Sequence, residues 1–199
     1  MHHNNYHSIN KSGFALLITL IVVSVVVSVG LTLLDLTIKQ LKLAGGSKDS
    51  EIAFHAANAG VECARYWRGL STERDKFEDG RSVTMSCFGQ PTESIASVQH
   101  GSSAIYEYNF RFTGGTDRCS VVKMVTLSSN PDAPPNGQGY AVVLNNANTI
   151  IPGYTETSKG CQPGGRCTII SAQGYNKACV TAGNNFSIGT VQREVLLEL

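Results

Sequence analysis

The chain has 199 residues, with 16 Lys and Arg against 15 Asp and Glu, and only 16% of its residues are charged. So even a balance gives no electrostatic steering toward nucleic acid, and no nucleic-acid partner is expected. With 20 Gly and many Ser, Thr and Asn, residues 69–199 read as a loop-rich extracytoplasmic β domain. Their roughly 130 positions suffice for one globular core and hardly for two.

Residues 1–13 form a polar leader that ends in Lys11-Ser12-Gly13, and Phe14 to Leu34 then carry no charge. As a helix this run measures roughly 31 Å, enough to cross the hydrocarbon core of a bilayer. A secretory signal peptide would show a shorter apolar run, about 7 to 15 residues, closed by a small-residue cleavage site. Neither condition is met. The stretch Leu34 to Leu43 keeps a helix-like mixture of apolar and charged residues, so the helix is expected to continue out of the membrane. An ordinary signal anchor satisfies the length argument equally well. Ser24 and Ser28, one helical turn apart, make a small polar groove able to seat another helix, although polar residues also occur in spans without function. Asp35 is the first charge after the span and marks the membrane surface.

From Asp49 to Trp67, apolar or small residues recur at Ile52, Ala56, Ala59, Gly60, Cys63 and Trp67, the offsets of one helical face. A second row, Phe54, Ala57, Val61 and Ala64, widens the stripe, as suits a helix lying on a sheet while touching other helices. Gly45-Gly46-Ser47 interrupts the pattern, because each Gly costs a helix about 1 kcal/mol relative to Ala. A kink or break is predicted there, with Ser47 or Asp49 capping a restart. The helical spine of residues 14–68 would approach about 80 Å if straight. Its own small domain cannot bury it, so it needs neighbours.

After Gly69 the period changes to alternation. Predicted strands are Arg81 to Cys87, Ala104 to Thr113, Cys119 to Leu127, Gly139 to Leu144, Arg166 to Ala172 and Thr190 to Leu199. Tyr106, Tyr108, Phe110 and Phe112 alternate, which puts one ring-bearing face on the core. In the last run Val191, Val195, Leu197 and Leu199 share a face with Arg193, while Gln192, Glu194 and Glu198 take the other, and a terminal strand of this kind completes a sheet that packs on the helix. Gly114-Gly115 reads as a hairpin turn, and Pro131 to Gly137 as a surface loop. The fold class is therefore α+β: a long N-terminal helical spine, membrane-spanning in its first half, packed on a C-terminal antiparallel β-sheet domain with disulfides.

Cys63, Cys87, Cys119, Cys161, Cys167 and Cys179 all lie on the far side of the apolar run. An even count confined to one side of a membrane argues for disulfides in an oxidising compartment. Cys161 and Cys167 flank Gln-Pro-Gly-Gly-Arg, which can turn tightly, so a local bridge is expected; the other four cannot be paired from sequence. Zinc is the alternative, but there is no C-x-x-C pair, and His55 and His100 are the only histidines beyond the leader. No metal and no cofactor is expected.

No catalytic constellation stands out: no G-x-S-x-G, H-E-x-x-H, phosphate-cradling Gly loop or acidic calcium loop. An enzyme is not expected. His2, His3 and His7 lie in the leader. His55 falls within the helix stripe and reads as a packed or hydrogen-bonded side chain rather than a base. Tyr66 and Trp67 end the helix beside Arg65 and Arg68; they read as an anchor of the helix terminus to the sheet, with the arginines facing water.

The junction Gly13-Phe14-Ala15-Leu16-Leu17-Ile18-Thr19-Leu20, a basic leader ending in Gly, then Phe, then an apolar helix, resembles the class III signal of type IV pilins and pseudopilins. The small-residue run from Phe54 to Ala64, which includes Ala59-Gly60-Val61-Glu62, is similar to the equivalent helix position in PilX-like minor pilins. The resemblance covers roughly the first third of the chain. It implies cleavage after Gly13 by a prepilin peptidase and methylation of the new N-terminal Phe14. It also implies an inner-membrane assembly platform and other pilin subunits as partners. Most pilins carry Glu at the fifth mature position, where this chain has Ile18. The assembly contact that carboxylate makes in the family would be missing, unless Asp35 replaces it, and some minor and tip subunits share the departure. Phe14, Ile18, Ser24, Ser28 and Asp35 are the candidate assembly residues. The implied function is a filament subunit, held in the cytoplasmic membrane before assembly and in an extracellular or periplasmic filament afterwards. A secretion or competence pseudopilin, a non-polymerising membrane-anchored binding protein and a membrane-anchored hydrolase are the alternatives.

Overall fold

The computed structural model describes residues 12–87, 89–91, 95–101, 104–114, 118–179 and 189–199. The leader's histidines, Lys11 and Gly115 lie outside the described residues. In chain order the elements are α1 (Ser12–Gly69), α2 (Ser71–Glu78), β1 (Ser86–Cys87), β2 (Gln90–Pro91), β3 (Val98–Gln99), β4 (Ile105–Thr113), β5 (Cys119–Ser128), β6 (Val142–Asn145), α3 (Ala147–Ile150), β7 (Ser158–Cys161), β8 (Arg166–Tyr175) and β9 (Gln192–Glu198). The chain divides into two compact units, Met1–Ser47 and Lys48–Leu199.

The described part of the first unit is helix alone. It has no core: every side chain from Phe14 to Leu43 is exposed, Phe14 to 72%. The predicted break at Gly45-Gly46-Ser47 does not occur, because helical structure runs unbroken from Ser12 to Gly69. Two glycines cost about 2 kcal/mol relative to alanine, but extending a helix that already exists needs no new nucleus, and Leu41-Lys42-Leu43-Ala44 just before them are strong helix formers. No cap at Ser47 or Asp49 is therefore needed.

The second unit is built on a five-stranded antiparallel sheet of order β3-β4-β5-β8-β9. Strands β4 and β5 pair from Ile105↔Leu127 to Thr113↔Cys119, and β5 and β8 from Cys119↔Tyr175 to Ser128↔Arg166. One face carries the predicted aromatic row. Tyr108, Phe110 and Phe112 are buried with Val122, Met124, Ile170 and Ala172, against Val61 and Ala64 of α1 and Phe77 of α2. Val195 and Leu197 pack on the same cluster, as the alternation of the last strand requires.

Small residues set the closeness of α1 to the sheet. Ala53, Ala56, Ala57 and Ala64 are buried. A Cβ on Gly174 of β8 would collide with backbone atoms of Ala53 and Ala57, and one on Gly60 would collide with Ser120. The buried row is thus centred on Ala53, Ala57, Gly60, Ala64 and Arg68, while Phe54, placed in the stripe by periodicity, is exposed. The half-buried Ile52, Ala59 and Cys63 flank that row.

The opposite face is covered at one end by a second cluster. Leu144 of β6, Ala147 of α3, Ile151, Tyr154 and Cys161 pack on Ile105, Val125, Leu127 and Ile169. Three departures from the alternation pattern concern polar or short segments. Ser71–Glu78 is helical with only Phe77 buried, a polar sequence that leaves no periodic signal. Arg81 to Cys87 is mostly irregular, holding a single bridge Val83↔Ile95 and the two-residue β1. Strands β2, β3 and β7 are two to four residues long, too short to show alternation.

Three disulfides tie the unit together. Cys63 joins Cys87, binding α1 to β1; Cys119 joins Cys179; Cys161 joins Cys167, linking the end of β7 to the start of β8. Their Cα separations of 6.1, 4.9 and 5.9 Å fall in the ordinary range. Because the helix backbone fills the space where a side chain at 174 would go, Gly174→Val is expected to destabilise the protein by about 1–3 kcal/mol. Gly45→Ala, where nothing lies within 4 Å, should be neutral or stabilising. Thermal melting of the two variants beside the parent chain checks the contrast.

Candidate functional site

A helix exposed on all sides needs its polar atoms satisfied from within if it is to sit in an apolar medium. Here they are. The hydroxyls of Thr19, Ser24, Ser28, Thr32 and Thr37 each donate to the carbonyl three residues back, at 2.7–2.8 Å. The groove formed by Ser24 and Ser28 is therefore closed on its own backbone. It offers lone pairs and small size, with no free donor. Asp35 accepts from Lys39 at 2.7 Å, one turn on, so its carboxylate already has a cation on its own helix. Gly13 has open space around it, and Phe14 and Ile18 are exposed. The described span is an apolar rod, able to lie in lipid or against other apolar helices.

Sequence reasoning missed the polar chemistry of the sheet domain. Arg68, expected to face water, is 6% exposed. Its Nε donates to Thr168 at 2.9 Å and its Nη2 to Glu78 at 2.7 Å, while Arg166 stands 3.4 Å from the other Glu78 oxygen. Burial pulls the Arg68 pKa down, opposed by the charge and hydrogen bond of Glu78. Removing one partner from such a pair leaves a charge stranded in the interior, so the network fixes the end of α1. Trp67 anchors that end as expected, its Nε1 donating to the Ser86 carbonyl at 3.0 Å, but Tyr66 is exposed.

The second polar centre is Glu107. Alternation places it off the aromatic face, yet it is 6% exposed. It accepts from Asn109 at 2.7 Å and from Lys123 at 2.9 Å, and it shares a 2.7 Å contact with His100. Burial alone would raise its pKa; the hydrogen bonds from Asn109, Lys123 and His100 together outweigh burial and hold it below the ordinary glutamate value. Tyr108 is pushed up to about 12, mainly by burial, and its hydroxyl lies 3.1–3.2 Å from the carbonyls of Lys76, Phe77 and Arg81. These groups hold α2 and the edge of the sheet in place.

His55 is exposed, 3.6 Å from Glu51, and not packed in the helix stripe. It lies beside the buried row of Ala53 and Ala57, at an open pocket that it lines with Phe112, Cys119 and Ser120 of the sheet. Among the described residues no group of three or more His, Cys, Asp or Glu could hold a metal ion. All six cysteines are in disulfides.

No family model, curated protein or solved structure matches the chain. The fold itself sets the class: a membrane-associated protein with, among the described residues, one helix long and apolar enough to cross a bilayer. That helix continues into a disulfide-stabilised antiparallel sheet domain.

The Glu107 cluster yields a pH prediction. Because the folded-state pKa lies below the unfolded value, its stabilisation is complete at neutral pH. It is lost as pH falls below about 4.3, the ordinary glutamate value, and through the folded pKa. Glu107→Gln should cost about 1–3 kcal/mol at pH 7, and in denaturant titrations the difference from the parent chain should begin to shrink only as pH falls below about 4.3.

Proposed function

We propose that this chain is a subunit of a type IV pilus-like filament, held in the membrane by its apolar helix and moved from lipid into a bundle of equivalent helices on assembly. The observation that carries the reading is the exposed, self-satisfied apolar helix from Phe14 to Leu34. It continues without a break into the helix packed on the sheet domain. Surface covered by lipid can be covered equally well by sister helices, because packing and small-residue contacts, not hydrophobic transfer, drive helix association in a bilayer. Head-to-tail repetition of one such contact builds an open filament.

The leader junction at Gly13-Phe14 supports this role. Ile18, in place of the carboxylate usual in pilins, favours a minor subunit that primes or caps the fibre or takes part in adhesion. The same residue leaves the pseudopilus of a secretion or competence system as the second reading. The sheet domain with its three disulfides suits an oxidising exterior.

Intact-mass and N-terminal peptide measurement on the native protein tests the proposal. The mature chain is expected to begin at Phe14 with its amine methylated. A native protein that retains residues 1–13 contradicts it.

A further inference from the structure

Among the described residues, the face of the sheet opposite α1 is covered only at one end. Cluster residues reach as far as Val125 and Ile169, and the adjoining rows of the same face are left open. Those rows are fixed by register: Asn109↔Lys123↔Ser171, then Arg111↔Val121↔Gln173↔Glu194, then Tyr175↔Gln192. Pro152, which follows the buried Ile151, walls them on one side. The result is a cleft of about 330 Å³, at the lower end of the usual range for small-ligand pockets.

We infer that this cleft is a binding site for a neutral polyhydroxylated ligand, a saccharide. The chemistry of its lining selects that class. Its polar groups are pre-oriented by bonds at one end and left open at the other. Ser171, 1% exposed, donates to Glu194 at 2.8 Å. Gln173 accepts from the Tyr175 hydroxyl at 3.0 Å, which leaves its amide N–H₂ without a partner among the described residues. Asn109 donates its N–H₂ to Glu107 and presents its carbonyl oxygen, and the Gln192 amide has no partner among the described residues. Open donors and open acceptors therefore stand together on strands about 4.8 Å apart, a mixture that hydroxyl groups, each both donor and acceptor, can complete.

Charge excludes the competing classes. Lys123, the charged residue of the lining, is tied to Glu107 at 2.9 Å, so its charge is already met on the sheet and the cleft favours neither phosphate nor carboxylate. Val121 and Pro152 add apolar surface suited to the C–H face of a sugar ring. The inference does not depend on the chain forming filaments.

The test uses the full disulfide-bonded chain in a phosphocholine detergent, since glycosidic detergents would compete. Saturation-transfer NMR is run with the methyl glycosides of glucose, galactose, mannose and N-acetylglucosamine, and separately with glucuronate and inorganic phosphate. At least one neutral glycoside should give a saturable signal, weakened about fivefold or more in affinity by Gln173→Ala and by Gln192→Ala. Gln192 is exposed, and unchanged melting of that variant separates lost binding from lost folding. Absence of signal from all four glycosides, affinity unchanged in both variants, or binding of glucuronate or phosphate alone would overturn the inference.

Discussion

The contact on which the structure rests is the backbone-to-backbone approach of α1 and β8. Gly174 has no room for a side chain because Ala53 and Ala57 of the helix already occupy it, and Gly60 likewise yields its space to Ser120. A helix seated this closely commits its alanine and glycine row to the sheet, so those residues are spent on the fold and are not offered to a partner. Their neighbours Phe54, His55 and Tyr66 stay exposed. With one face of the sheet taken by α1 and α2, the short strands β6 and β7 and helix α3 can cover only part of the other. Among the described residues the remaining rows stay open as a polar cleft.

The apolar first half of α1 obeys a different rule. Nothing among the described residues of its own unit covers it. Its hydroxyls turned inward and its single ion pair Lys39–Asp35 beyond the uncharged run make it stable in lipid and equally stable among like helices. In the proposed filament, that equivalence would let the membrane anchor become the shaft of the fibre.

Much of this was legible in the sequence wherever one periodic signal dominated. The uncharged run at Phe14–Leu34, the alternating rings of Tyr108, Phe110 and Phe112, and the pairing faces of Val195 and Leu197 each follow from a single rule of spacing. Elements set by tertiary contact were not legible. Helix α2 buries one residue, Phe77, in an otherwise polar sequence, so no stripe announces it. The phase of the α1 stripe is decided by the glycine opposite, in β8, and sequence spacing alone put Phe54 inside. Glu107 alternates as a solvent-facing residue should, yet is buried, with His100, Asn109 and Lys123 gathered on its carboxylate. Arg68 is drawn inward by Glu78 and Thr168, ten and a hundred residues away. The cleft was invisible for the same reason: its residues come together only through the register of four strands.

The central claim is that the apolar rod meets copies of itself. The most direct measurement places a single cysteine at Ser24, in a segment that has none of its own, and oxidises intact cells that express the full chain. The account predicts disulfide-linked dimers through Ser24→Cys that persist when the protein is recovered in sheared extracellular material. A chain that remains monomeric under the same oxidation, recovered only from membranes, would contradict it.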